Sequence, residues 1–307
     1  MLTVRMMYRD VDRLPYLYGL RRHAETLGLT ISLVRYQQFA NVDWGEMLVN
    51  GEVDAIAENY WALQRYRAAG RPFATVASSS HVWTESLLAR PGFAALDDLR
   101  GKKLAVRLTG PQHAFPWVLL QRAGLLDAVE LVVYSEQDTG RWGHWKKVAD
   151  GTCDACFMVP LYDEGARAAG LVDVPYEAFA FDGAHIVPTT TEDFIAANPE
   201  AIRLLVEAMF ETCERINADA AWFRERVVES LPELREHFPL GNDREIDRVA
   251  RILRAEIATI PIPTPEGIKN AYDVASVQYP EVTGFNSLLM WDLSFARAAY
   301  RKRETRR

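Results

Sequence analysis

The chain has 307 residues, 49% hydrophobic and 25% charged, and its 35 Lys and Arg against 42 Asp and Glu leave a formal net charge of −7. Such a chain can bury a sizeable core, ordinarily as two domains, and the acidic balance excludes a nucleic-acid partner. No apolar run approaches the length of a membrane span, so no membrane insertion is expected, and three cysteines give no disulfide framework.

Strands and helices alternate from the first residues. Residues 4–8 read as a strand, 16–27 as a helix, 30–36 as a strand, 44–50 as a helix, 53–57 as a strand, 61–69 as a helix and 73–77 as a strand. This alternation predicts a parallel sheet covered by helices. Residues 81–90 then read as a crossing into a second lobe, which continues through a strand at 104–108, a helix at 113–123, a strand at 129–134, helix 141–149, strand 153–159 and helix 163–169. Ile186, Val187 and Pro188 mark a return crossing. Asn198 and Pro199 open a helix as N-cap and first helical residue, and Ile202, Leu205, Val206, Met209 and Phe210 give it one buried face. Helices are expected at 243–260, 265–277 and 287–301, and the basic residues after 300 read as a solvated helix end. The domain expectation is residues 1–82 plus 189–307 as a discontinuous first lobe, with 83–188 inserted as a second.

One stretch occurs twice. G-x-x-D-A, eleven residues and R-A-A-G run from Gly51 to Gly70 and again from Gly151 to Gly170, each preceded by a Trp-Gly pair, Trp44-Gly45 and Trp142-Gly143. A period this long suits two similarly built α/β units, not a solenoid. Each copy reads as a helix ended by glycine, then a short buried strand. Cys153 and Cys156 fall in the second of these strands and read as structural, since no second Cys or His pair has zinc spacing.

These residues resemble type II periplasmic solute-binding proteins, of the nitrate/sulfonate-binding and thiamin-pyrimidine-synthase-like branch. The resemblance rests on G-E-V-D-A at 51–55, L-D-D-L-R-G-K-K-L-A-V at 96–106, T-G-P-Q at 109–112 and F-I-A-A-N-P-E-A at 194–201, and it spans most of the chain. It implies an α/β, two-lobed type II periplasmic-binding-protein-like fold with two hinge crossings, C-terminal helices and a ligand enclosed between the lobes. The function implied is binding of a small organic molecule, anionic or aromatic, as an ABC-transporter-type substrate-binding protein or a cytoplasmic relative. The alternative is a cytoplasmic lyase or decarboxylase acting on an aromatic or heterocyclic acid, because the same scaffold serves transport and catalysis. The cysteine-rich motif of the yeast pyrimidine synthase is absent, and Arg9 and Asp10 stand where the aromatic sulfinate desulfinase has its cysteine. No cofactor and no metal are expected. With residues 2–8 already reading as a strand, the chain as written is expected to be cytoplasmic, or periplasmic with an ABC permease as partner if a signal peptide has been removed.

In open α/β sheets ligands gather beyond the carboxyl ends of the strands. That rule selects Arg9 and Asp10 after the first strand, Glu58, Asn59, Tyr60 and Trp61 after the first repeat, and Met158 and Tyr162 after the second. Arg9 could pair bidentately with a carboxylate or simply with a neighbouring Asp. Tyr60 and Trp61 suit an aromatic ligand wall or the core face of the helix they begin. Thr109, Gly110, Gln112 and His113 surround a helix start where backbone N–H groups would meet an anion. Ser80 and His81 lie at the first crossing and His185 at the second. Glu58, His81 and His185 are the candidate proton-transfer groups for the catalytic alternative; His144 and Trp145 read as ordinary helix residues. G-x-S-x-G, H-E-x-x-H and phosphate-loop motifs are absent, which excludes the corresponding hydrolases.

Overall fold

The computed structural model describes residues 2–36, 43–58, 60–83, 85–107, 111–140, 142–177, 180–182, 186–238 and 240–305, except the side chains of residues 111–113 and 136. Two compact units divide the chain: Met1–Val82 with Ala180–Tyr272 and Gly284–Arg307, and Trp83–Phe179 with Asp273–Thr283. Asp273 is ion-paired with Arg122 within the second unit. No helix among the described residues is long and apolar enough to cross a membrane.

The first unit is built on β1 (Leu2–Tyr8), β2 (Leu29–Arg35), β3 (Ala55–Ala57), β4 (Phe73–Thr75) and, much later in the chain, β10 (Pro188–Thr191). The second holds β5 (Ser86–Ala89), β6 (Lys102–Arg107), β7 (Val129–Tyr134), β8 (Ala155–Met158) and β9 (Val172–Asp173). Their orders, β2-β1-β3-β10-β4 and β7-β6-β8-β5-β9, are the same topology. In each, an inner strand pairs in parallel with two neighbours, β1 with β2 and β3, β6 with β7 and β8. The expected all-parallel sheets are corrected in one respect. The crossing strands β10 and β5 run antiparallel to both their neighbours, so each sheet is mixed.

The repeated residues have repeated work. Asp54 accepts the backbone N–H of Arg5 at 2.8 Å and pairs with its guanidinium at 2.6 Å. Asp154 accepts the N–H of Lys103 at 2.9 Å and pairs with Arg90. Each Asp thus pins the entry of a repeat strand to the inner strand beside it, and the left-handed Gly51 and Gly151 reverse the chain just before. Cys153 and Cys156 are buried free thiols.

Several helices are shorter than periodicity predicts. Residues 61–69 form a tight turn at Tyr60–Leu63 and a short helix at Gln64–Ala68. Of the helix expected at 141–149, the described residues form only Lys146–Ala149, because Trp142 takes a left-handed backbone with φ of 56°. Asp243–Ala255 stops before Pro261, and the last segment splits into Ser287–Met290 and Ser294–Glu304. The apolar face of Pro199–Ala218 is buried as its spacing requires. Asn198 stands at the N-cap position of that helix, but its amide instead donates to the Phe194 carbonyl at 3.2 Å, closing the helix before it.

Candidate functional site

Inner strand β1 ends at Tyr8, and Glu58 follows its neighbour β3. The Glu58 carboxylate accepts the backbone N–H groups of Arg9 at 2.7 Å and Asp10 at 3.2 Å, tying two strand ends together. Glu58 is fully buried, and burial pushes its carboxyl up to about 7; the Asp10 charge adds to the rise, while Arg9, Arg13 and the Arg9 N–H oppose it. Its Oε2 has no hydrogen-bond partner among the described residues. The Arg9 side chain is exposed, pairs with Asp10 at 2.9 Å and lies over the Trp44 ring at 5.7 Å.

The second unit has a counterpart. Register equates Met6, opposite Ala55, with Leu104, opposite Ala155. The same step along the chain takes Arg9 to Arg107 and Trp44 to Trp142. Arg107 ends β6 with its guanidinium 4.1 Å from the centroid of the Trp142 ring, and Tyr162 stacks on that indole at 4.9 Å. Trp142 holds its place through the left-handed backbone noted above, a strain of order 1–3 kcal/mol for a side chain of this size. Gly143 completes the turn, since a Cβ there would overlap the Thr139 carbonyl.

His144 follows at once and is buried. Its Nε2 lies 2.7 Å from the Phe157 carbonyl, which can only accept, so Nε2 carries the proton and Nδ1 is an acceptor. Nδ1 has no partner among the described residues. Burial, with the Arg107 charge nearby, pushes this imidazole down to about 4 against the Phe157 hydrogen bond, so it is neutral at physiological pH.

The structure therefore brings Arg9, Asp10 and Glu58 together in the first unit, and Tyr162 with Arg107 and Trp142 in the second. Tyr60 and Trp61 are core residues, with the Tyr60 ring edge-on to Trp291 at 4.8 Å. Met158 is buried at the end of β8 and Ser80 is buried in the first crossing. Both ring nitrogens of His81 are engaged, Nδ1 with Asp182 and Nε2 with the Ile260 carbonyl at 2.8 Å. Asn59, Thr109, Gly110 and His185 lie outside the described residues, as do the side chains of Gln112 and His113. Arg107 and Trp142 are not among the residues the strand-end rule selects; the duplicated Trp-Gly pair is the sequence signal that marks Trp142.

Among the described residues no group of three His, Cys, Asp or Glu could hold a metal ion. Two open hollows of about 620 and 710 Å³ lie in the first unit, around Arg254 and around Arg303.

The family described as NMT1/THI5 like matches residues 26–219. No curated protein matches the chain significantly. Among solved structures, the periplasmic sulfonate-binding protein SsuA from Methylobacillus flagellatus KT is similar at 16% identity and a TM-score of 0.72, over 99% of this chain and 95% of that one. The periplasmic aliphatic sulphonate binding protein SsuA from Escherichia coli is similar at 14% identity and a TM-score of 0.67, over 94% and 96%. The desulfurization enzyme DSZB is similar at 12% identity and a TM-score of 0.66, over 99% and 100%. These likenesses establish the type II periplasmic-binding-protein fold.

Proposed function

The chain belongs to the NMT1/THI5-like family, and from that premise we propose that it binds a small organic anion at the carboxyl ends of its sheet strands, as a solute-binding protein. The observation that carries this reading is the arginine laid over a tryptophan at the carboxyl end of the inner strand of each sheet. A cation held against an aromatic surface offers charge and apolar contact together, which suits a carboxylate or sulfonate on an organic body. The similarity to sulfonate-binding proteins supports the same ligand class. If the chain is exported, its partner is an ABC permease and its place the periplasm.

Calorimetric titration with methanesulfonate, benzenesulfonate and benzoate, and with benzamide as a neutral control, tests the reading. Saturable binding of at least one acid, with benzamide weaker than benzoate, is expected. Absence of binding by every acid sinks it.

Glu58 favours a second reading, an enzyme acting on an organic acid. A buried carboxyl near neutrality can give or take a proton at working pH, and the similarity to DSZB shows that an enzyme shares the fold. Here Glu58→Gln would abolish most turnover and leave substrate affinity in place. A variant that loses affinity alone would support the binding protein.

A further inference from the structure

His144 is buried with half of its hydrogen-bonding capacity unused. Its Nε2–H donates to the Phe157 carbonyl at 2.7 Å, while Nδ1, an acceptor, has no partner among the described residues. Buried polar groups are hydrogen-bonded as a rule, and an orphaned acceptor is unfavourable until something donates to it. His81, by contrast, engages both ring nitrogens.

The architecture common to the two units does not require this imidazole. The step that takes Trp44 to Trp142 takes Glu46 to His144, and Glu46 is a half-buried residue of the helix Trp44–Val49. Where that helix begins in the first unit, the second has the left-handed Trp142, followed by Gly143, whose turn has no room for a Cβ. The turn delivers His144 to the end of β8, since Phe157 is the last residue but one of that strand. It is the carboxyl edge of the second sheet, because β6, which ends at Arg107, runs parallel to β8.

The chemistry of a partner follows from the ring and its neighbours. An acceptor nitrogen needs an O–H or N–H donor. Burial keeps the ring neutral, and the Arg107 charge acts on it in the same sense; that charge equally disfavours an ammonium at Nδ1. A neutral hydroxyl meets both conditions. A site built around such an acceptor rejects the analogue that lacks the donor.

We propose that Nδ1 of His144 accepts a hydrogen bond from a hydroxyl of the ligand, so that the organic anion taken by this protein is a hydroxy acid. This rests on the reading of the chain as a binder of small organic anions and narrows the class of anion.

Titrations of the full chain compare ethanesulfonate with 2-hydroxyethanesulfonate and 2-aminoethanesulfonate, and benzoate with 2-, 3- and 4-hydroxybenzoate. At least one hydroxy acid is expected to bind about tenfold or more tightly than its parent, and the ammonium-bearing acid no more tightly than ethanesulfonate. His144→Phe keeps a ring and removes the acceptor, and should reduce the hydroxyl preference to less than about threefold. Circular dichroism reports whether the variant is folded. Nitrogen-15 spectra of histidine-labelled wild type read the same contact without a substitution: the preferred hydroxy acid shifts the Nδ1 resonance of His144 more than its parent does. An equal shift with both acids overturns the contact, even where His144→Phe fails to fold. Acids bound with no hydroxyl preference overturn the hydroxy-acid class while leaving the binding function standing. A preference that survives in folded His144→Phe overturns the assignment to this residue, and tighter binding of the ammonium-bearing acid overturns the neutral donor. A wild type that binds none of the acids removes the binding function, and this inference with it.

Discussion

Asp182 is fully buried and receives a hydrogen bond from Nδ1 of His81, about a hundred residues earlier in the chain. The other Asp182 oxygen accepts the N–H and the hydroxyl of Thr264, both at 2.8 Å. Because Nε2 of His81 also faces an acceptor, the Ile260 carbonyl, both ring nitrogens must donate and the imidazole is held as a cation. The pair fastens the two crossing segments, where Phe181 N also donates to His81 O at 3.0 Å, to the chain around residues 260–264.

Burial by itself would lower the His81 pKa, but the hydrogen bond and charge of Asp182, with the Ile260 and Ser80 backbone, raise it above its ordinary value. A raised histidine pKa stabilises fully below the unfolded value of about 6.5 and ceases to do so as pH climbs through the folded value. The melting temperature is therefore expected to decline as pH rises above about 6.5 and through the raised folded value. His81→Gln should be less stable than wild type at about pH 6 by roughly 1.5–3 kcal/mol, the worth of a hydrogen bond to a charged group, and should lose that decline. Parallel pH profiles for the two proteins mean the pair is not a stabilising ion pair.

Glu58 is the opposite kind of carboxyl from the usual surface acid. With a folded pKa raised to about 7, the folded protein holds a proton that the unfolded chain releases near pH 4.5, so stability falls as pH rises between those values. Glu58→Gln keeps an acceptor for the Arg9 and Asp10 N–H groups and removes the ionisation. Its melting temperature should exceed that of the wild type above about pH 7 and approach it near pH 5. Denaturant melts at the two pH values measure this, and a variant less stable at both contradicts the assignment.

The duplicated aspartates should respond alike. Asp54→Ala strands the Arg5 N–H and Asp154→Ala strands the Lys103 N–H at the entry of a repeat strand. Each substitution is expected to cost about 1–3 kcal/mol. For Asp154 burial opposes ionisation, but the Lys103 N–H and Arg90 hold its carboxyl below its usual value. Its contribution is thus present above about pH 3.8 and lost as pH falls further. Urea titrations at neutral pH check both variants, and no loss at either site removes the shared role.

Gly267 lies against Asp182, where a Cβ would overlap Oδ2. Gly267→Ala should destabilise by about 1–3 kcal/mol as the carboxylate is displaced. The cost should shrink in an Asp182→Ala background, since the two share one space. Additive losses in the double-mutant cycle rule out that coupling.

Sequence by itself determined the α/β alternation, the doubling of the architecture and the strand ends at which Glu58 and Tyr162 sit, because those depend on local signals: apolar runs, glycine stops and a repeated aspartate. It also put Glu58 at the carboxyl edge of its sheet, since a strand's polarity fixes which end a following residue occupies. It could not decide that Tyr60 and Trp61 turn into the core, for an aromatic pair reads the same whether it meets a ligand or Trp291. Nor could it fix the direction of β5 and β10, because pairing sense is a long-range choice made by the whole sheet. The pairing of His81 with Asp182 and the seating of Arg107 on Trp142 were equally illegible. One joins residues far apart in the chain, and the other needs a left-handed tryptophan that propensity disfavours and tertiary packing alone sustains.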